Sequence, residues 1–151
     1  MGVNIGYMAV RRAVHIKALP QHVWHEFQDI RRLSDWFGRG HTLEAYEPGE
    51  GGRLELSVEL PDGIKGFGGP ILVFEENREL TFENNWFGER AWEVPTLITL
   101  RLTSCYDGTL VELFHHGFER LGVSAASEFL AYESAWDVGH LQRLKEIVEG
   151  R

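Results

Sequence analysis

Residues 96–118 read TLITLRLTSCYDGTLVELFHHGF, and this stretch decides the fold. Ile98, Leu100 and Leu102 alternate with Thr99, Arg101 and Thr103, the two-residue period of a strand with one dry and one wet face. Asp107-Gly108 is a strong hairpin-turn dipeptide, and Thr109 to Phe118 returns with Val111, Leu113 and His115 on one parity. Two antiparallel strands are therefore predicted. Walking toward the N-terminus, the same period recurs in Glu79 to Trp86, where Leu80, Phe82 and Trp86 share one parity, and in Pro70 to Glu75. It recurs again in RLELSVELPDG, where Leu54, Leu56, Val58 and Leu60 alternate with polar residues before the turn Pro61-Asp62-Gly63.

The flanks change period. Met8 to Ala18 reads as a strand, ended by Pro20, which suits the first turn of a helix. Val23, Trp24, Phe27 and Ile30 then recur at helical spacing, and Leu33, Trp36 and Phe37 gather in a second turn stopped by Gly38, so a broken pair of short helices is predicted. After Gly122, with Ser124 as N-cap and Phe129, Trp136, Leu144 and Ile147 as a stripe widened by Leu141 and Val148, one helix of about 25 residues is predicted, on the order of 37 Å long. Strands in a run followed by a long helix make an α+β fold: a curved antiparallel sheet of about six or seven strands wrapped around the C-terminal helix, with two short helices after the first strand.

Composition sets the outer bounds. The 151 residues are 43% hydrophobic, 12% aromatic and 25% charged, without a linker, repeat or low-complexity stretch, so residues 1–151 are expected to form one domain. A net charge of -8 is the wrong sign for neutralising phosphates, which argues against nucleic acid and anionic membrane surfaces. Arg11, Arg12, His15 and Lys17 interrupt the N-terminal segment, so neither a signal peptide nor membrane insertion is expected, and a cytoplasmic protein is. A single cysteine, Cys105, excludes an internal disulfide and a cysteine-built zinc site.

At the level of residues the chain resembles the SRPBCC superfamily, also called START-like or birch-pollen-allergen-like, and within it the AHSA-type branch named for activators of heat-shock-protein ATPase. The resemblance is carried by Ile16 with Ala18-Leu19-Pro20 and Val23-Trp24; Trp36-Phe37; Gly51-Gly52-Arg53; Asn77 to Phe82; Gly108-Thr109 with Val111, Leu113, His115 and Gly117-Phe118; and Trp136 with Leu141 and Leu144. These pieces stand in the family's order over nearly the whole chain. Ala135 stands where the family often has a glycine. The resemblance implies the helix-grip fold, with a cavity between the sheet and the C-terminal helix that holds a small hydrophobic ligand such as a lipid, a polyketide-like molecule or an aromatic metabolite. Heat-shock co-chaperones of this branch carry a further N-terminal domain, which is not expected within these 151 residues, so a co-chaperone role is not the first expectation.

The sequence supplies large side chains for such a cavity. Phe67, Phe82, Trp86, Trp92, Phe129, Tyr132 and Trp136 are the wall candidates, against the alternative that they simply fill the core. His115 shares the strand face of Val111 and Leu113 and so points inward, as a polar handle for a ligand or as a core histidine with hydrogen-bond partners. Glu133, Trp136 and His140 are spaced three and four apart, so Glu133 and His140, with His115, are the candidates for acid/base chemistry in a cyclase- or hydrolase-like enzyme, the alternative to non-catalytic binding. Among metal-ligating types only His22, His25 and Glu26 cluster, without metalloprotease spacing, and neither a metal nor another cofactor is expected. His41 reads as isolated in a loop, and the glycines at 49, 51, 52, 63, 66, 68 and 69 as turns, bulges or edge relief rather than phosphate loops. Phe114, on the face opposite His115, suggests an exposed apolar patch that a homodimer would cover, and a chaperone partner is a third functional class.

Overall fold

Chain order begins with an edge strand, β1 (Val10–Ile16), followed by the short helix α1 (Pro20–Trp24), a 3₁₀ turn (His25–Phe27) and α2 (Ile30–Phe37). Five strands come next: β2 (Thr42–Tyr46), β3 (Arg53–Leu60), β4 (Gly63–Glu75), β5 (Glu79–Trp86) and β6 (Thr96–Cys105). The chain closes with β7 (Gly108–His116), a 3₁₀ segment (Phe118–Ser124), α3 (Ala125–Ala135) and α4 (Gly139–Glu149). This is a computed structural model, and it describes residues 8–151; the part of the N-terminal expectation that falls on residues 1–7 lies outside them.

The seven strands form one antiparallel sheet in the order β1-β7-β6-β5-β4-β3-β2. The hairpin read from residues 96–118 lies one strand in from the β1 edge, with Leu100 opposite Leu113 and Leu102 opposite Val111. Their inward side chains meet Trp24, Phe27, Leu33, Trp36 and Phe37 from the first helices and Leu141, Leu144 and Val148 from α4 in one buried cluster. Each such residue fully removed from water contributes roughly 1.5–3 kcal/mol relative to exposure. Asp29 caps α2 by accepting the Arg32 amide on Oδ1 at 2.8 Å. Among the described residues no helix is long and apolar enough to cross a membrane.

Three features differ from the sequence reading. β2, five residues with a register shift between Leu43 and Ala45, is a strand that the periodicity did not show. β4 begins at Gly63 rather than Pro70, because its glycines lie inside the strand where it bends across β3. Gly68 has φ +122°, and a Cβ placed there would lie 2.1 Å from the Leu54 carbonyl oxygen, so only glycine fits.

The third difference shapes the site. The C-terminal helical segment covers the sheet as expected but runs as two helices, because the backbone turns extended at Trp136 (φ -72°, ψ 127°). Arg12, on edge strand β1, caps the first helix: its guanidinium donates to the Trp136 carbonyl at 2.9 Å, to the Glu133 carbonyl at 2.8 Å and to Glu133 Oε2 at 3.0 Å. A cation on the last carbonyls of a helix satisfies acceptors that otherwise have no partner. Asp137 Oδ1 then accepts the Gly139 amide at 2.7 Å and starts the second helix. Ser124 precedes the first helix but does not cap it; its hydroxyl donates to the Leu121 carbonyl instead.

Candidate functional site

The break at Trp136 turns its indole toward the sheet, and a cavity of about 300 Å³ lies there. Its sheet wall is built by side chains that share the inward parity of their strands: Leu56 of β3, Phe67 of β4, Phe82, Asn84 and Trp86 of β5, Ile98 of β6 and His115 of β7. Phe37, Tyr132, Trp136 and His140 close it from the helical side, and His41 and the exposed Arg39 and Gly40 stand at its rim. The rings meet edge to face, Phe67 against Trp86 at 5.5 Å and Phe37 against Phe82 at 6.4 Å, an arrangement that adds to their burial.

His115, fully buried, forms the centre of a polar chain across one wall. Trp136 Nε1–H donates to its Nδ1 at 3.0 Å, and an indole can only donate. Nδ1 is therefore the acceptor, so the proton sits on Nε2, which donates to Thr96 Oγ1 at 2.8 Å. The Thr96 hydroxyl passes its own hydrogen to the Asn84 carbonyl at 3.0 Å. Burial, with a smaller contribution from the neighbouring His116, pushes the His115 imidazole down to about 3, so it is neutral at physiological pH. Both ring nitrogens are engaged, and the imidazole acts as a strut that holds Trp136 against the sheet.

On the other side of the cavity His41 and His140 stack at 5.6 Å. Burial pushes His41 down to about 4, the adjacent His140 adding to this and the Phe37 carbonyl opposing it. Burial also lowers His140, whose Nδ1 lies 3.4 Å from the Trp36 carbonyl oxygen. The Tyr132 hydroxyl is raised to about 12, chiefly by burial. Two buried polar atoms have no partner among the described residues, His41 Nε2 and Asn84 Oδ1, and both belong to residues lining this cavity.

Of the seven wall candidates and His115 read from the sequence, Phe67, Phe82, Trp86, His115, Tyr132 and Trp136 line the cavity. Trp92 and Phe129 do not. Trp92 is held behind Tyr132, rings 6.2 Å apart, by paired hydrogen bonds between its backbone and the Asn85 side chain. Phe129, on α3, packs at 5.8 Å on Phe118, which Tyr132 also contacts at 5.7 Å. The acid/base trio is also divided: His115 and His140 line the cavity, but Glu133 is turned to the edge strand by its ion pair with Arg12.

Other expectations resolve by contact. Phe114 is half-buried beneath the Arg101 guanidinium, 5.4 Å from its ring, and forms no bare apolar patch. His25 accepts from Arg32, and Glu26 pairs with Arg151. Among the described residues no group of three or more His, Cys, Asp or Glu side chains converges. The sequence reading missed Phe37, Asn84 and His41 as lining residues. Asn84 had an available signal, since a polar residue shares the inward parity of Phe82 and Trp86; nothing in the sequence brings the His41 loop to this cavity.

A curved seven-stranded antiparallel sheet closed by a C-terminal helical layer over an aromatic cavity defines an AHSA-type SRPBCC domain of helix-grip fold. The family model described as Activator of Hsp90 ATPase homolog 1-like protein matches residues 17–149, and the chain belongs to that family. Membership suggests a ligand-binding domain. Among solved structures it is similar to a protein from Mesorhizobium loti (16% identity, 93% of this chain and 96% of that one, TM-score 0.71). A protein from Mycobacterium smegmatis is similar over 97% of this chain and 93% of its own at 14% identity and TM-score 0.72. The Aha1 dimer from Colwellia psychrerythraea is similar over 93% and 96% at 16% identity and TM-score 0.58. At these identities the likeness shows the fold alone. No curated protein matches the sequence.

Proposed function

We propose that this protein encloses a small hydrophobic molecule, without transforming it, in the cavity between sheet and C-terminal helices. The observation that carries the reading is a space of about 300 Å³ walled by Phe37, Phe67, Phe82, Trp86 and Trp136 that opens at the rim of Arg39 and Gly40. That volume is at the lower end of ligand cavities. At about 30 Å³ per water it holds on the order of ten non-hydrogen atoms, which favours a ring compound over a long-chain lipid or a polyketide-sized molecule. Burying about 200 Å² of such a ligand's apolar surface contributes roughly 5 kcal/mol before the costs of association. Native mass spectrometry of freshly purified protein tests this: a bound mass of one small molecule per chain is expected, and a ligand-free spectrum together with no binding from an aromatic compound library defeats it.

An acid/base enzyme in the same cavity has less support. His115 has both nitrogens committed and is neutral, and Glu133 faces Arg12. General acid/base work requires a group free to exchange a proton with substrate. A cytoplasmic location belongs to the same reading. A chaperone partner or a homodimer rests on the family's description and on the Colwellia dimer, and neither depends on the cavity.

A further inference from the structure

We propose that the cavity's ligand is an aromatic carboxylate, its ring inside the cavity and its carboxylate at the mouth, on the guanidinium of Arg39. This rests on the cavity-binding reading and gives its ligand a charge. Arg39 stands just past the end of α2, exposed, and lines the mouth. Eleven of the fifteen Lys and Arg side chains have a carboxylate within 4.0 Å, as a chain with 23 acidic residues readily provides. Among the described residues Arg39 has none, and its side chain makes no hydrogen bond. Asp137, whose charge reaches His140 as that of Arg39 does, accepts the Gly139 amide at 2.7 Å instead of pairing with the guanidinium. The start of α4 makes room for Arg39: a Cβ at Gly139 would lie 2.3 Å from its Nε, so glycine leaves the space that the guanidinium occupies beside His140 of the cavity wall.

The rest of the wall selects the remainder of the molecule. Burial keeps His41, His115 and His140 neutral, and no Lys, Asp or Glu lines the cavity, so among the described residues Arg39 is the one charge that a ligand there meets. A guanidinium beside an apolar wall attracts an anion more strongly than one on open surface, and its planar fork takes a carboxylate through two parallel N–H···O bonds. One guanidinium matches one negative charge; a doubly charged phosphate ester would carry an unmatched charge onto a chain of net charge -8. Flat aromatic faces and a space on the order of ten non-hydrogen atoms suit one or two fused rings. The carboxylate then stands at the exposed mouth and is not carried into the apolar interior, where an ionised group is costly.

The test uses 2-naphthoate and 2-naphthamide, which match in shape and differ in charge, titrated calorimetrically into the whole chain at neutral pH. 2-Naphthoate is expected to bind at least about tenfold more tightly, and raising the salt concentration about tenfold should narrow that preference while moving the 2-naphthamide affinity by less than about twofold. In Arg39→Gln the two should bind within about threefold of each other. Arg31→Gln, which removes an exposed arginine of α2 outside the cavity and changes the net charge equally, should keep the preference. Equal affinities in the natural chain, or a preference that survives Arg39→Gln, overturn the inference while leaving cavity binding intact. Binding of neither compound also overturns it, and native mass spectrometry of the purified protein then decides the cavity reading separately.

Discussion

Acidification should weaken this fold well before its carboxylates titrate, through the buried imidazoles of the cavity. His115 is held down to about 3 and His41 to about 4, against an ordinary value near 6.5 in the unfolded chain. Below pH 6.5 the unfolded chain therefore takes up protons that the folded chain refuses, and stability falls as pH falls. At pH 5 the unfolded imidazole has gained about 1.5 pH units of protonation free energy, about 2 kcal/mol for each histidine at 1.36 kcal/mol per unit. This figure depends little on the folded values, since both lie well below pH 5. Together the two remove about 4 kcal/mol between pH 7.5 and pH 5, and His116 and His140, both lowered chiefly by burial, act in the same direction. At about 2–4 °C per kcal/mol for a domain of this size, the melting temperature should drop by at least about 8 °C. Asp29, Asp62 and Glu149 are lowered instead, so their contribution is lost only at more acidic pH and stays largely out of this window. Calorimetric melts from pH 7.5 to 5 of the natural chain, His115→Gln and His41→Gln provide the assay. Each variant, whatever its absolute stability, should show a fall smaller by about 2 kcal/mol. An unchanged fall in both variants, or a His115 carbon-bound proton resonance that titrates near pH 6.5, would refute the reasoning.

Three further outcomes follow from contacts already described. Thr96→Val keeps the shape but strands His115 Nε2–H, so chemical denaturation should show a loss of about 1–3 kcal/mol with altered Trp136 fluorescence, and Thr96→Ser should restore most of it. Gly68→Ala meets both an unfavourable φ and the Leu54 carbonyl, and urea melts should report a loss of more than about 3 kcal/mol; a loss below 1 kcal/mol would mean β4 does not make this bend. Arg12→Met removes the cap on the helix spanning Ala125–Ala135, and amide hydrogen exchange should accelerate there by about tenfold while residues 139–149 stay protected.

The sheet was legible because alternation is a local signal: Leu54, Leu56, Leu80, Phe82, Leu100, Leu102, Val111 and Leu113 all lie on the inward parity their spacing predicts and are buried. The helix break was not legible, because it is imposed by Arg12 of an edge strand 124 residues distant from Trp136, and no local period encodes such a contact. Asp137 and Gly139 were the only nearby hint. The same limit explains the site. Inward parity correctly brings Phe82, Trp86 and His115 to one surface, but Trp92 lies between strands and Phe129 on a helix, where no two-residue period applies, and they pack on Tyr132 and Phe118 instead of lining the cavity. Phe37 and His41 reach the cavity only through the packing of α2 and its loop.

The polar chain of Trp136, His115, Thr96 and Asn84 also answers why the space stays open. The space opens to solvent at the rim of Arg39 and Gly40, and closing it would bury aromatic wall at roughly 25 cal/mol per Å². Trp136 is the side chain placed to move in and close it. It cannot do so cheaply, because its indole hydrogen is tied to His115 and its carbonyl to Arg12, and the release of either strands a polar group. An aromatic cavity with one ring braced from both ends keeps its shape without an occupant, which is what the proposed binding of a small apolar molecule requires.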